Sequence, residues 1–164
     1  DKIIDFSDSD IVLQQRILVA SDNSDITTAA DIQNGDFKVA TQKGTTNYEL
    51  AVSLFGADKV DAYDQFDFAI AAVISGDADA SIVDEVAGLG YMGANKNKVK
   101  LVGEGLQTDP LGFAFPEGSP LVDVINQGLA LMKENGKLQE INDKFFSPGF
   151  TVTYDDIENV SYDE

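Results

Sequence analysis

An α/β fold on a largely parallel sheet is what this 164-residue sequence predicts, and three observations carry it. Between residues 37 and 102, short runs of β-branched and small apolar residues alternate with segments of helical period. Glycine or a small polar residue punctuates the junctions, as at Gly35, Gly44 and Ser75-Gly76. The hydrophobic fraction, 43%, suffices for one ordinary domain or two small lobes with a real core.

The elements follow in order. Residues 3–6 and 16–20 (RILVA) read as short strands, and a turn then leads to a short helix over 28–33 that stops at Gly35. Residues 37–41 form a buried-type strand. Leu50, Ala51, Leu54 and Phe55 repeat with a helical period over 47–55. A strand at 59–63, a helix at 68–74, a strand at 79–83 and a helix at 85–92 continue the alternation, and a strand at 99–102 ends it. The chain then changes character. Residues 112–115 read as a strand, Ser119 and Pro120 open a long amphipathic helix ending near Asn135-Gly136, and a shorter helix spans 137–145. The last stretch holds a turn, one strand-like run and an acidic end.

Composition removes several function classes. A formal charge of −18 argues against nucleic acid as a partner, because phosphate binding needs concentrated Lys and Arg. The sequence contains neither cysteine nor histidine, which excludes thiol nucleophiles, disulfides, histidine-assisted triads and most zinc sites. No apolar run approaches the length of a transmembrane helix. Neither Asp77 with Asp79 nor Asp84 with Glu85 has the forced facing geometry of an acid–base pair. Asp5, Asp8 and Asp10 lack the glycine and terminal glutamate of a calcium loop. Tyr63, Phe66 and Phe68 read as core or lip residues, and Arg16 as structural. No catalytic residue, metal ligand or cofactor is predicted.

Two stretches remain. In TQKGTT, residues 41–46, Gly44 and the threonines stand at a strand-to-helix junction, but not in the order a nucleotide P-loop needs. The helix start offers unpaired N–H groups and the positive end of a dipole, with hydroxyls beside them. Capping of the helix by Thr45 or Thr46 is the simpler alternative. In SIVDEVAG, Asp84 ends a strand and begins a helix, so it either caps that helix or points outward to a cation. In a parallel sheet both features share the edge of strand carboxyl ends where ligands bind. Together they offer donors for a carboxylate and an acceptor for an ammonium, the charge pattern of a free amino acid.

In order and spacing, IDFSDSD, RILVASDNSDITTAADIQNGDFKVATQKGTT, SGDADASIVDEVA and LGFAFPEGSPLVDVINQGLALMKENGKLQEINDKFF resemble family 3 bacterial solute-binding proteins, the extracellular amino-acid-binding proteins of ABC importers. The resemblance covers roughly residues 3–146 and implies a type II periplasmic-binding-protein fold, two α/β lobes that close over a ligand. Residues 1–22 would be a lobe 1 strand and the first hinge strand. Residues 23–106 would be a complete lobe 2 with a mixed, mainly parallel sheet. The second hinge strand and the C-terminal helices of an incomplete lobe 1 would occupy 107–146, and 147–164 would be an acidic tail. The rest of lobe 1, with the arginine that forks onto the ligand carboxylate and an aromatic wall, would precede residue 1; Arg16 does not match that arginine.

By this resemblance Thr46 holds the α-carboxylate, Asp84 accepts from the α-ammonium and Gln42 lines the side-chain pocket, with Thr45 and Gly44 as neighbours. Two departures stand out: Asp8-Ser9-Asp10 follows the DFS phrase where the family usually has x-Pro-Tyr, and Asp77 occupies the usual arginine position of a surface turn. The implied partners are an amino acid and an ABC permease in the membrane, with self-association through the incomplete lobe 1 a further expectation. The implied location is extracytoplasmic, in the periplasm or at the cell surface, behind an upstream signal and in some arrangements a lipid anchor. Two other classes stay open: a sensing module of a receptor or kinase, and a dehydratase-like enzyme on the same fold.

Overall fold

A computed structural model describes residues 3–95 and 98–146. Its elements are β1 (Ile4–Phe6), β2 (Ile11–Ala20), α1 (Ala29–Asn34), β3 (Val39–Gln42), α2 (Thr46–Phe55), β4 (Val60–Tyr63), α3 (Phe66–Ser75), β5 (Ala80–Asp84), α4 (Glu85–Ala94), β6 (Val99–Leu111), β7 (Ala114–Pro116), α5 (Leu121–Glu134) and α6 (Lys137–Phe145). The expected acidic tail, 147–164, lies outside the described residues.

Five strands form one sheet in the order β4-β3-β5-β2-β6. β3 pairs parallel with β4 and β5, whereas β2 pairs antiparallel with β5 and β6. Four strands therefore run one way and β2 alone runs the other, a mixed, mainly parallel sheet. Side chains alternate across it. Ile17, Val19, Val39, Ala80 and Ile82 pack on one face under α1 and α2, where Ile32, Ala51 and Phe55 meet them. On the other face Leu18, Ala40, Val83 and Val99 receive Ala69, Ile70 and Val73 of α3. Burying each large aliphatic side chain contributes roughly 1.5–3 kcal/mol, so the double-sided core anchors the sheet. At Gly88 of α4 a Cβ would lie 2.6 Å from a Leu101 methyl and 3.1 Å from one of Val83, so the missing side chain lets α4 lie close on β5 and β6.

The outer strands are longer than expected. β2 begins at Ile11, not Arg16, and β6 continues to Leu111, with residues 11–15 pairing to 107–111. Polar Gln14 and Gln15, two glycines and Pro110 hide this pairing in the sequence; Pro110 is tolerated because β6 is an edge strand. The register slips midway, Gln15 pairing with Gln107 but Ile17 with Val102. Residues 103–106 thus bulge opposite Arg16 alone.

β1 and β7 form a separate two-stranded antiparallel sheet. α5 and α6 are tied to its flanking loop: Lys133 Nζ of α5 donates to the Ser9 carbonyl at 2.6 Å, Asp8 N–H to Asn126 Oδ1 at 2.7 Å, and Asn142 Nδ2 of α6 to the Asp10 carbonyl at 3.4 Å. On this side Phe6, Phe113, Val124 and Leu131 are more than half exposed, an apolar surface quite unlike the closed core of the five-stranded sheet. Among the described residues no helix is long and apolar enough to cross a membrane.

Candidate ligand-binding site

β3 and β5 run parallel with Val39 level with Ala80, which brings Gln42 and Asp84, their last residues, to one edge of the sheet. Behind Gln42 the chain turns through Gly44, whose φ of +72° is a left-handed conformation that favours glycine, and enters α2. Thr45 is the cap: its hydroxyl accepts from Tyr48 N–H at 3.2 Å and donates to the Gln42 carbonyl at 2.7 Å. That leaves Thr46 free of capping duty. As first residue of α2 it carries a backbone N–H with no acceptor inside the helix, and its hydroxyl accepts from Gln15 Nε2 at 3.3 Å.

Asp84 stands at the N-cap position of α4 but makes no side-chain capping bond. Its carboxylate accepts instead from Asn47 Nδ2 at 3.2 Å. Gln42 is half-buried, and its amide donates to the Asp64 carbonyl at 3.1 Å. Arg16 turns elsewhere, pairing with Glu85 and donating to the Gly103 carbonyl.

Sequence reasoning missed the residues that join these parts. Gln15 is fully buried and Asn47 is 3% exposed. Gln15 Oε1 accepts from Asn47 Nδ2 at 3.1 Å, while Gln15 Nε2 donates to Asp109 Oδ2 at 2.5 Å as well as to Thr46. Asp109 also accepts from Gln107 Nε2 at 2.8 Å and faces the Thr46 hydroxyl at 3.4 Å. Four elements, β2, α2, β5 and β6, thus meet in one polar network. The Gln107 amide, then Gln15 and Thr46, hold the Asp109 carboxyl below the usual carboxylate range against partial desolvation. The available signal was a glutamine pair inside the apolar run IVLQQRILVA, since a buried amide must find partners.

Chemically, the edge presents helix-start N–H donors on one side and an uncapped carboxylate on the other. It carries no cysteine or histidine, hence no thiol nucleophile or imidazole base. A separate apolar groove of about 420 Å³, lined by Phe113, Val124, Leu129, Met132, Ile141 and Phe145 among others, lies away from this edge between α5 and α6.

The fold is that of the type II periplasmic-binding-protein class. The model of bacterial extracellular solute-binding proteins, family 3, matches residues 1–148, and the chain belongs to that family. It is 33% identical over 144 residues to the L-cystine-binding protein TcyA of Bacillus subtilis (strain 168), covering 87% of this chain and 52% of the relative. It is 31% identical over 145 residues to the glutamine-binding protein GlnH of the same organism, covering 88% and 52%. Among solved structures, an ancestral arginine-binding protein bound to arginine superposes with a TM-score of 0.74 at 34% identity, covering 88% of this chain and 65% of that one. The chain spans about half the length of the curated relatives it matches.

Proposed function

We propose that this chain is part of an extracytoplasmic binding protein for a free amino acid, which hands its ligand to an ABC permease by hinge closure. One observation carries the reading: Asp84, at a helix start, makes no side-chain capping bond and shares a sheet edge with Thr46, whose N–H has no acceptor inside its own helix. In this reading Thr46 receives the α-carboxylate, Asp84 the α-ammonium, and Gln42 lines the side-chain pocket, with Thr45 and Gly44 shaping the turn. Residues 23–106 form one lobe, β2 and β6 pass between lobes as hinge strands, and 107–146 return to the other. The slipped register at Gln15 and Gln107 supports a flexing point there. Relatives that bind cystine, glutamine and arginine support an amino acid as ligand.

The dehydratase alternative draws on one similar structure, an ancestral amino acid-binding protein described as a precursor of cyclohexadienyl dehydratase. The lack of histidine favours binding over catalysis. Calorimetric titration of the full-length gene product with L-cystine, L-glutamine and L-arginine tests the proposal. Asp84→Ala is expected to weaken binding by about 2–5 kcal/mol, the cost of leaving a buried ammonium unpaired. Unchanged affinity would remove Asp84 from the site. This chain alone is expected to bind far more weakly than the full-length product; equal affinity would refute a site shared with further residues.

A further inference from the structure

We propose that Asp109 is an internal competitor for the ligand carboxylate and so sets the affinity of the site. The inference rests on the amino-acid-binding reading above and deepens it. Asp109 Oδ2 lies 3.4 Å from the Thr46 hydroxyl, at the helix start proposed to receive the α-carboxylate. The chain's own carboxylate thus stands where an anion is wanted.

The bond lengths order the network. Gln15 and Gln107 both donate their side-chain amides to Asp109, the latter at an ordinary 2.8 Å. At 3.4 Å the contact with Thr46 exceeds the usual 2.5–3.0 Å of an O–H···O bond. It is the weakest link of Asp109 and the one an arriving carboxylate exchanges with. Among the described residues the partners of Asp109 are a hydroxyl and two amides, which hold its charge without neutralising it. The arginine of β2 is engaged by Glu85 and Gly103. Two carboxylates converging on one helix start repel each other, so the ligand must drive Asp109 off Thr46, and binding is weaker by that cost. Because Gln15 touches Asp109, Thr46 and, through Asn47, Asp84, the exchange is felt at both ends of the ligand. Asp109 acts through Thr46 and is a positioning residue.

The test compares each amino acid with its α-amide, which lacks the carboxylate. Calorimetry on the full-length gene product is run with L-arginine and L-argininamide, and with L-glutamine and its α-amide, before and after Asp109→Asn. The substitution is expected to raise the preference for acid over amide about fivefold or more, on the scale of a removed like charge. A merely structural role would shift both ligands together and leave the ratio unchanged. An unchanged or lowered ratio overturns the proposal. In the unsubstituted protein, the carboxyl carbon resonance of Asp109 is expected to move on adding L-arginine and to stay put on adding L-argininamide; the same shift with both also overturns it, whether or not the variant folds. If neither amino acid binds the unsubstituted protein, the functional reading fails and takes this one with it. Binding with no effect at Asp109 leaves the functional reading intact and refutes the competitor alone.

Discussion

Replacing Gln15 by leucine removes the hub of the polar network while keeping the volume close. Three hydrogen bonds go: those to Thr46, to Asp109 and from Asn47. Two are neutral, at about 1 kcal/mol each, and the one to a carboxylate contributes roughly 1.5–3 kcal/mol. Leucine recovers about 1–2 kcal/mol by burying apolar surface at a fully buried position. Asp109 is only partly buried and regains some hydration. The balance is a loss of about 2 kcal/mol, which in a chain of this size lowers Tm by roughly 4–8 °C. The chain has no tryptophan, so denaturant and thermal unfolding are followed by far-ultraviolet circular dichroism. Combining Gln15→Leu with Asn47→Leu should cost less than the sum of the two, because the second removes a donor the first has orphaned. A Gln15→Leu protein within about 0.5 kcal/mol of the parent, well under the hydrogen-bond scale, would refute the hub.

Lys59 Nζ donates to the carbonyls of Ile32, Gln33 and Gly35 at 2.9, 3.1 and 2.7 Å, closing the C-terminus of α1; Lys59→Met is expected to cost about 1–2 kcal/mol in denaturant unfolding. The Thr41 hydroxyl is fully buried without a hydrogen-bond partner. Thr41→Val should therefore raise stability by about 1 kcal/mol, and a loss would show that the hydroxyl is used. The Asp31 carboxyl, lowered from 3.8 to about 2 by hydrogen bonds from the backbone and hydroxyl of Thr27, then of Thr28, stabilises the fold above its ordinary value. That contribution fades as pH falls through about 2. A carboxyl NMR titration reads the shift, and Asp31→Asn should flatten this part of the acid limb.

Much of the fold was legible because local pattern and tertiary need agree. The apolar spacing of α2 and the Ser75-Gly76 stop of α3 placed those helices to within a residue or two. The full reach of β2 and β6 was not legible, since Gln14, Gln15, Gly103, Gly105 and Pro110 all weaken a strand pattern. Only their mutual pairing makes them strands. The site divides in the same way. Thr46 and Asp84 stood out as candidates because one opens a helix after a strand and the other ends a strand, a feature of chain order. Gln15, Asn47 and Asp109 were not, because the bond from Gln15 to Asp109 spans 94 positions and no local periodicity carries such a contact. The structure also separated the two threonines, assigning the cap to Thr45 and leaving the choice for Asp84 against capping.

The pairing of β2 with β6 also bears on how the chain folds. Ala20 is opposite Val99, so 99 − 20 = 79 positions of chain must be gathered before that ladder can close. β3 meets β4 with Val39 level with Val60 and meets β5 with Val39 level with Ala80, both over shorter loops, and closure entropy grows with the logarithm of loop length. The edge ladder is therefore expected to form late, after the inner strands have collapsed around their helices. Destabilising substitutions at Val99 or Leu101 consequently act on the unfolding limb of a chevron plot, whereas those at Val39 or Val60 slow refolding.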